Sequence, residues 1–347
     1  MEIDAAFELV QRTLPLYGMD QECAVTFVKY RENHVFRVDA PDGGSVAVRL
    51  HRPGYRDQQE ILTELAYLDA LGRAGVPVPD VLRAQDGRLV CDVAVGEHAR
   101  SVSVQRWIDH ATPFGDIDGA LSGRHDPPAA QFRDIGVVLA RLHDAEAMVG
   151  RPGSFRRDAW DADGLAGSRP LWGDPAALPG LTPRDRDSVA RGKVHVHRRL
   201  RALDTGPEVF GIIHADATPE NVLITPDGVV LIDFDDFGTG WFAFDLVTAL
   251  FHHARNPRYP EFERALRDGY SELRPLPPAE ESAWDDLMLA RGLTYLGWAA
   301  ERPGDPASDF ITEVVAPWVA RIADAATAGE PAPWRVRALD DERQEHR

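Results

Sequence analysis

Along the first hundred residues apolar and polar positions alternate with the period of two expected of half-buried strands. Val25–Val28, Val35–Val38 and Val46–Leu50 are short β-prone runs, separated by polar Lys29–His34 and by the turn Pro41-Asp42-Gly43-Gly44. That order predicts an antiparallel meander. From Asp57 to Leu71 the period changes. Ile61, Leu62, Leu65, Leu68 and Leu71 recur at three and four residues, predicting an amphipathic helix closed by Gly72 and Gly75. Val76–Asp80 is extended, and Asp86-Gly87 predicts a hairpin turn with Leu89–Val93 as its return strand. Ser101–Ile108 is again strand-like, and the chain then enters the Pro-rich stretch Asp109–Pro128.

Helical spacing dominates the rest. Phe132, Ile135, Val138, Leu139 and Leu142 form one apolar face of a helix expected to end near His143. Residues 150–190, rich in Gly, Pro, Arg and Asp, read as irregular with short helices. Helical patterns return at Asp245–His253, Glu281–Ala299 and Phe310–Ala326. The expected organisation is a β-rich domain over 1–106, a mainly helical domain over 107–330 and a flexible tail over 331–347. The fold class is α+β.

Composition narrows the function. A chain of 347 residues suits about two domains, and 44% hydrophobic with 27% charged residues excludes disorder and coiled coil as the main architecture. A net charge of -18 argues against nucleic acid or anionic membrane as partner, because phosphate polymers are repelled. It leans toward a cationic small molecule or a metal-nucleotide. Cys23 and Cys91 are too few for a disulfide framework, the N-terminus lacks a secretion pattern, and no run approaches the ~20 apolar residues of a membrane span. The expectation is a cytoplasmic protein.

The chemistry concentrates between Gly211 and Asp236. Ile212-Ile213, Val222–Ile224 and Val229–Ile232 are short apolar runs, and Asp216, Asn221 and Asp233 stand at their ends. A hairpin around Pro226-Asp227-Gly228 brings Asn221 and Asp233 together, with Asp216 in the preceding loop. Two oxygen donors beside a third carboxylate suit a hard dication with phosphate oxygens, and the remaining carboxylate can orient a hydroxyl and accept its proton. No G-x-x-x-x-G-K-[ST] or G-x-S-x-G sequence occurs. His195/His197 and His252/His253 lack the i, i+4 spacing of a helical zinc site.

His214-Ala215-Asp216, then Asn221, then Asp233-Phe234-Asp235 twelve residues on, resembles the core of the protein-kinase-like superfamily. With Gly238, Asp245-Leu246, the helix Leu139–His143, the strand Val48–Pro53 and the helix segment Glu60–Glu64, the finer resemblance is to the aminoglycoside phosphotransferase and choline kinase branch. It covers residues 25–300 and implies a bilobal fold: a small antiparallel-β lobe with one helix, and a larger helical lobe. It implies that Asp216 is the catalytic carboxylate, that Asn221 and Asp233 hold Mg²⁺ on ATP, and that Asp235 touches metal or substrate. His214 and Asp245 brace the loop. Arg49 stands where the superfamily usually has its phosphate-pairing lysine, with Glu64 as its partner, and the connector with Gln105 and Trp107 faces the adenine. Arg49 and Ala215 depart from the usual Lys and Gly, and Lys29 and Lys193 are the only lysines in the chain. The implied reaction moves the γ-phosphate of ATP to a small-molecule hydroxyl of the aminoglycoside, amino alcohol or homoserine class. The alternatives are a Ser/Thr protein kinase of the bacterial stress-response type, which the segment His51-Arg52-Pro53 resembles, and a nucleotide-binding pseudokinase.

Overall fold

The computed structural model describes residues 3–30, 33–41, 43–151 and 155–336. Two compact units emerge. The first comprises Met1–Thr112 with Ala147–Arg157 and Thr225–Ile232, and the second takes the rest. A cut near residue 106 is the sequence expectation. The first unit runs to Thr112 and also draws in two later segments, which local periodicity cannot reveal.

In the first unit α1 (Ile3–Thr13) precedes β1 (Ala24–Tyr30), β2 (His34–Asp39), β3 (Ser45–Leu50), α2 (Gln58–Arg73), β4 (Val81–Leu82), β5 (Cys91–Val95) and β6 (His98–Arg106). The sheet order is β1-β2-β3-β6-β4, with β5 on β6. The expected meander is present, although Arg31, Glu32 and Asp42 of its connections lie outside the described residues. Two readings change. The turn at Asp86-Gly87 exists, with Ala84 N bonded to Arg88 O at 2.8 Å. However, β4 pairs with β6, and the hairpin is β5–β6, with Cys91 opposite Val102. Helix α1 was not expected. Its buried Ala6, Leu9, Val10 and Thr13 follow the i, i+3, i+4, i+7 stripe. Ala6, Leu9 and Val10 join Phe36, Val38, Val46, Val48, Leu50, Val102 and Val104 in the core against the sheet.

Helix α2 starts at a capping box: Asp57 accepts from Glu60 N, and the Glu60 side chain accepts from Asp57 N, both at 2.8 Å. That fixes the helix register and hence the direction of Glu64, which is wholly buried.

The later elements are β7 (Thr112–Pro113), α3 (Ile117–Leu121), α4 (Ala129–Val149), β8 (Ala159–Trp160), α5 (Ala162–Ala166), α6 (Pro183–Leu200), β9 (Phe210–Ile213), β10 (Val222–Thr225), β11 (Gly228–Leu231) and β12 (Gly238–Trp241). Then come α7 (Phe242–Phe251), α8 (Tyr259–Ser271), α9 (Pro278–Ser282), α10 (Trp284–Ala300), α11 (Pro306–Phe310) and α12 (Ala316–Ala328). In the second unit β12 runs parallel to β8 and antiparallel to β9, setting Gly238 opposite Ile213. Helix α4 continues well past His143. The region expected to be irregular to residue 190 instead enters the long helix α6 at Pro183, where Thr182 caps Asp185 N and Pro183 fills the first helical position. Residues 331–336 are packed: Trp334 is buried and Arg335 bonds Glu263 and Asp285. Residues 337–347 of the expected tail lie outside the described residues. Among the described residues no helix is long and apolar enough to cross a membrane.

Candidate active site

Strand β9 delivers the chain into a loop shaped by one buried carboxylate. Asp245, in the first turn of α7, accepts from His214 N through Oδ2 and from Ala215 N through Oδ1, both at 2.7 Å. Ala215 is held at φ 65°, in the left-handed region that costs a residue with a Cβ about 1 kcal/mol. The charge-assisted bonds of Asp245 offset that cost. His143 Nε2 also lies 3.0 Å from Asp245 Oδ2, and Tyr270 Oη lies 3.0 Å from His143 Nδ1. An ionised Asp245 only accepts, so Nε2 carries the proton and Nδ1 accepts from Tyr270. Burial holds the His143 pKa below its ordinary value, with Asp245 opposing.

Asp216 follows immediately. Asn221 Nδ2 donates to Asp216 Oδ2 at 2.9 Å and to its main-chain oxygen at 3.0 Å. Arg291 Nη2, from the middle of α10, donates to Asp216 Oδ1 at 2.8 Å. The Asp216 side chain retains 21% of its surface, while Arg291 has none exposed. Burial pushes the Asp216 pKa up to about 7; the Asp236 and Asp233 carboxylates add to the rise and Arg291 opposes it. The site therefore concentrates negative charge that a bound cation would relieve.

Asp233 takes φ 65° as the chain leaves β11, and Asp235 is buried in the turn that follows. Asp236 is held at both ends: its main-chain oxygen accepts from Trp160 Nε1 at 2.8 Å, and Oδ1 accepts from Trp172 Nε1 at 3.3 Å. Sequence alone singles out neither Arg291 nor Trp172. The available signal for Arg291 was a lone cation within the apolar helical run Leu287–Leu296. Nothing local marks Trp172.

The first unit holds its own set. Arg49 Nη1 donates to Glu64 Oε1 at 2.8 Å, with side chains 6% and 0% exposed. Arg49 pairs with Ser103 across β3 and β6, so Gln105, two residues farther along β6, shares its face of the sheet. His51 Nε2 lies 2.9 Å from Ser103 Oγ on that same face. Trp107 follows the end of β6, its main-chain N bonded to Ser45 O and its ring 5.1 Å from the Arg37 guanidinium.

Of the remaining histidine pairs three members have side-chain partners, while both ring nitrogens of His252 are buried with none among the described residues. His195 bonds Asp286 at 2.9 Å, His197 bonds Asp163 at 2.7 Å, and His253 Nε2 lies 3.0 Å from His125 Nδ1. Among the described residues no three His, Cys, Asp or Glu side chains converge as a cage for metal.

Comparison with known proteins adds to this geometry. The profile of the phosphotransferase enzyme family matches residues 26–282. An uncharacterized protein of Deinococcus radiodurans is 30% identical over 308 residues, 86% of this chain and 82% of its own length. A solved microcompartment-associated aminopropanol kinase is 27% identical with a TM-score of 0.82, covering 94% of this chain and 99% of that one. An amicoumacin kinase solved with AMP-PNP and Ca²⁺ is 19% identical with a TM-score of 0.71, covering 96% of each chain, and shares the fold.

Proposed function

This chain belongs to the phosphotransferase enzyme family, and from that premise we propose that it moves the γ-phosphoryl group of ATP to the hydroxyl of a small amino alcohol, with Mg²⁺. It is an enzyme, a kinase of small-molecule hydroxyl groups. The observation that carries the proposal is the Asp216 carboxylate, tied at one oxygen to Asn221 and at the other to Arg291. A carboxylate so fixed still has lone pairs for one incoming hydroxyl. The hydroxyl oxygen attacks the γ-phosphorus, the bond to the β–γ bridging oxygen breaks, ADP leaves, and the hydroxyl proton passes to Asp216. The transition state is loose, so catalysis rests on alignment and charge neutralisation, with no covalent intermediate on the protein.

The residues fit a divalent cation. Both acceptors of Asn221 Nδ2 are oxygens, which fixes the orientation of the amide, and no described residue donates to its Oδ1. That oxygen and the Asp233 carboxylate would hold the ion, which when bound neutralises phosphate charge. Arg49, steadied by Glu64, would pair with phosphate oxygens, and Gln105 and Trp107 would serve the base. Asp235 would contribute to the metal or acceptor.

The amine in the acceptor is supported by the gathered Asp216, Asp233 and Asp236 carboxylates beside Trp160 and Trp172. The similarity to an aminopropanol kinase supports it independently. The test is Mg²⁺-dependent ADP release with aminopropanol, homoserine, an aminoglycoside and a neutral diol of aminopropanol's length, beside Asp216→Asn. The expected result is turnover that vanishes in the variant, with kcat/KM about tenfold or more higher for the amine than for the diol. Equal kinetics for amine and diol would remove the amine from the proposal.

A further inference from the structure

Arg291 holds one oxygen of Asp216, and the place it does so from is unusual. Helix α10 is buried along most of its length, and Leu287, Ala290, Leu293 and Thr294 around Arg291 are all removed from water. A guanidinium at such a position loses its hydration, and a hydrocarbon side chain would pack there without that cost. Nor is the cation fully satisfied: Nε has no acceptor among the described residues, and Nη1 reaches only the Ala215 carbonyl at 3.4 Å. Its one short bond is to Asp216 Oδ1.

The surroundings aim that bond. The Arg291 guanidinium lies 5.0 Å from the Trp172 ring centre and 5.8 Å from that of Tyr295, so two aromatic faces limit where it can turn. Trp172 uses its indole N–H on Asp236 Oδ1. One indole thus packs on the cation that holds Asp216 and donates to the neighbouring carboxylate. Removing Arg291 would free Asp216 Oδ1 while Asp233 and Asp236 repel the carboxylate.

We propose that Arg291 is a positioning residue for phosphoryl transfer, fixing the plane of the Asp216 carboxylate from a helix 75 residues downstream. The inference rests on the reading of Asp216 as the group that takes the acceptor's proton. With Asn221 on one oxygen and Arg291 on the other, rotation of the carboxylate about its Cβ–Cγ bond is blocked. The remaining lone pairs keep one direction toward the acceptor.

The experiment compares Arg291→Met, which keeps an unbranched stem against Trp172, with Arg291→Ala and Asp216→Asn. Arg291→Met should fold and lose about 10²-fold in kcat, with the nucleotide KM changed less than about threefold. Arg291→Ala should regain part of its kcat when guanidinium is added at sub-denaturing concentration, because the free ion can re-enter the vacated space. In the Asp216→Asn background, Arg291→Met should cost little more, since the group it orients is gone. Wild-type kcat in Arg291→Met would overturn the proposal. So would a loss that follows thermal stability and is not restored by guanidinium. Full activity in Asp216→Asn would refute the underlying reading instead, whatever the Arg291 variants do.

Discussion

Asn221 Nδ2 stands 2.9 Å from Asp216 Oδ2 and 3.0 Å from the Asp216 main-chain oxygen, so a single amide ties the side chain of Asp216 to its own backbone. The same residue presents its Oδ1 away from these bonds. Asn221 thereby couples the aim of the hydroxyl-orienting carboxylate to the oxygen proposed for the cation.

Asn221→Asp separates the two roles. It keeps an oxygen donor for a cation but sets a second carboxylate against Asp216 in place of the amide. The expected outcome is a kcat lower by about 10²-fold or more, with Mg²⁺ half-saturation changed far less. Asn221→Ala should lose both. Steady-state rates across a Mg²⁺ titration check this, and unchanged kcat in Asn221→Asp would refute the coupling.

The Arg49–Glu64 pair is almost wholly out of water, which makes single and double changes behave differently. Arg49→Met leaves Glu64 as a buried lone carboxylate and should cost about 3–5 kcal/mol. Changing both to Met removes both charges and should recover most of that stability. Activity should not recover with it, because the proposed phosphate contact stays lost. Arg49→Lys should retain fold and measurable activity, with a raised nucleotide KM from the different donor geometry. Denaturant unfolding beside nucleotide kinetics reads both effects, and a stable double variant with wild-type nucleotide KM would exclude Arg49 from phosphate binding.

Asp245 accepts two main-chain N–H groups and the His143 imidazole, so an amide in its place must point an N–H at a donor. Asp245→Asn should destabilise the fold by about 2–4 kcal/mol. It should also reduce kcat, because Ala215 is no longer held in its left-handed conformation one residue before Asp216. Thermal unfolding and kcat measured together test this. Retention of both would mean that the loop keeps its shape without the carboxylate.

Glu280 supplies a pH dependence of stability away from the site. Its Oε1 accepts from Ala243 N at 2.9 Å near the start of α7, while Oε2 is buried with no partner among the described residues. Burial raises its pKa from the ordinary 4.5 to about 7, with the Ala243 bond and the Arg274 charge opposing. The folded state therefore holds the proton more tightly than the unfolded chain. Stability is fully present below pH 4.5 and is lost as pH rises through 7. This one group accounts for a loss of about 3 kcal/mol at most. Glu280→Gln should flatten the slope between pH 5 and pH 8 and be more stable than the parent protein at the upper end. Denaturant midpoints across that range measure it, and parallel slopes for the two proteins would exclude Glu280 as the source.

Much of this protein is legible in the order of its residues. Alternation marks the strands around Arg49, three-and-four spacing marks the helix that carries Glu64, and His214, Asp216, Asn221 and Asp233 stand at the spacing of a phosphotransferase core. These are local features: each depends on residues a few positions apart, and backbone geometry turns such spacings directly into faces and turns. The tertiary structure decided the rest. It turned the expected β4–β5 hairpin into two pairings on β6, because strand partners are chosen by the whole sheet. It brought His143 to Asp245 across 102 residues, Trp172 to Asp236 across 64 and Arg291 to Asp216 across 75. No periodicity encodes contacts at such separations. They arise when helices that each bury an apolar face pack together, leaving the few polar side chains caught inside to find one another.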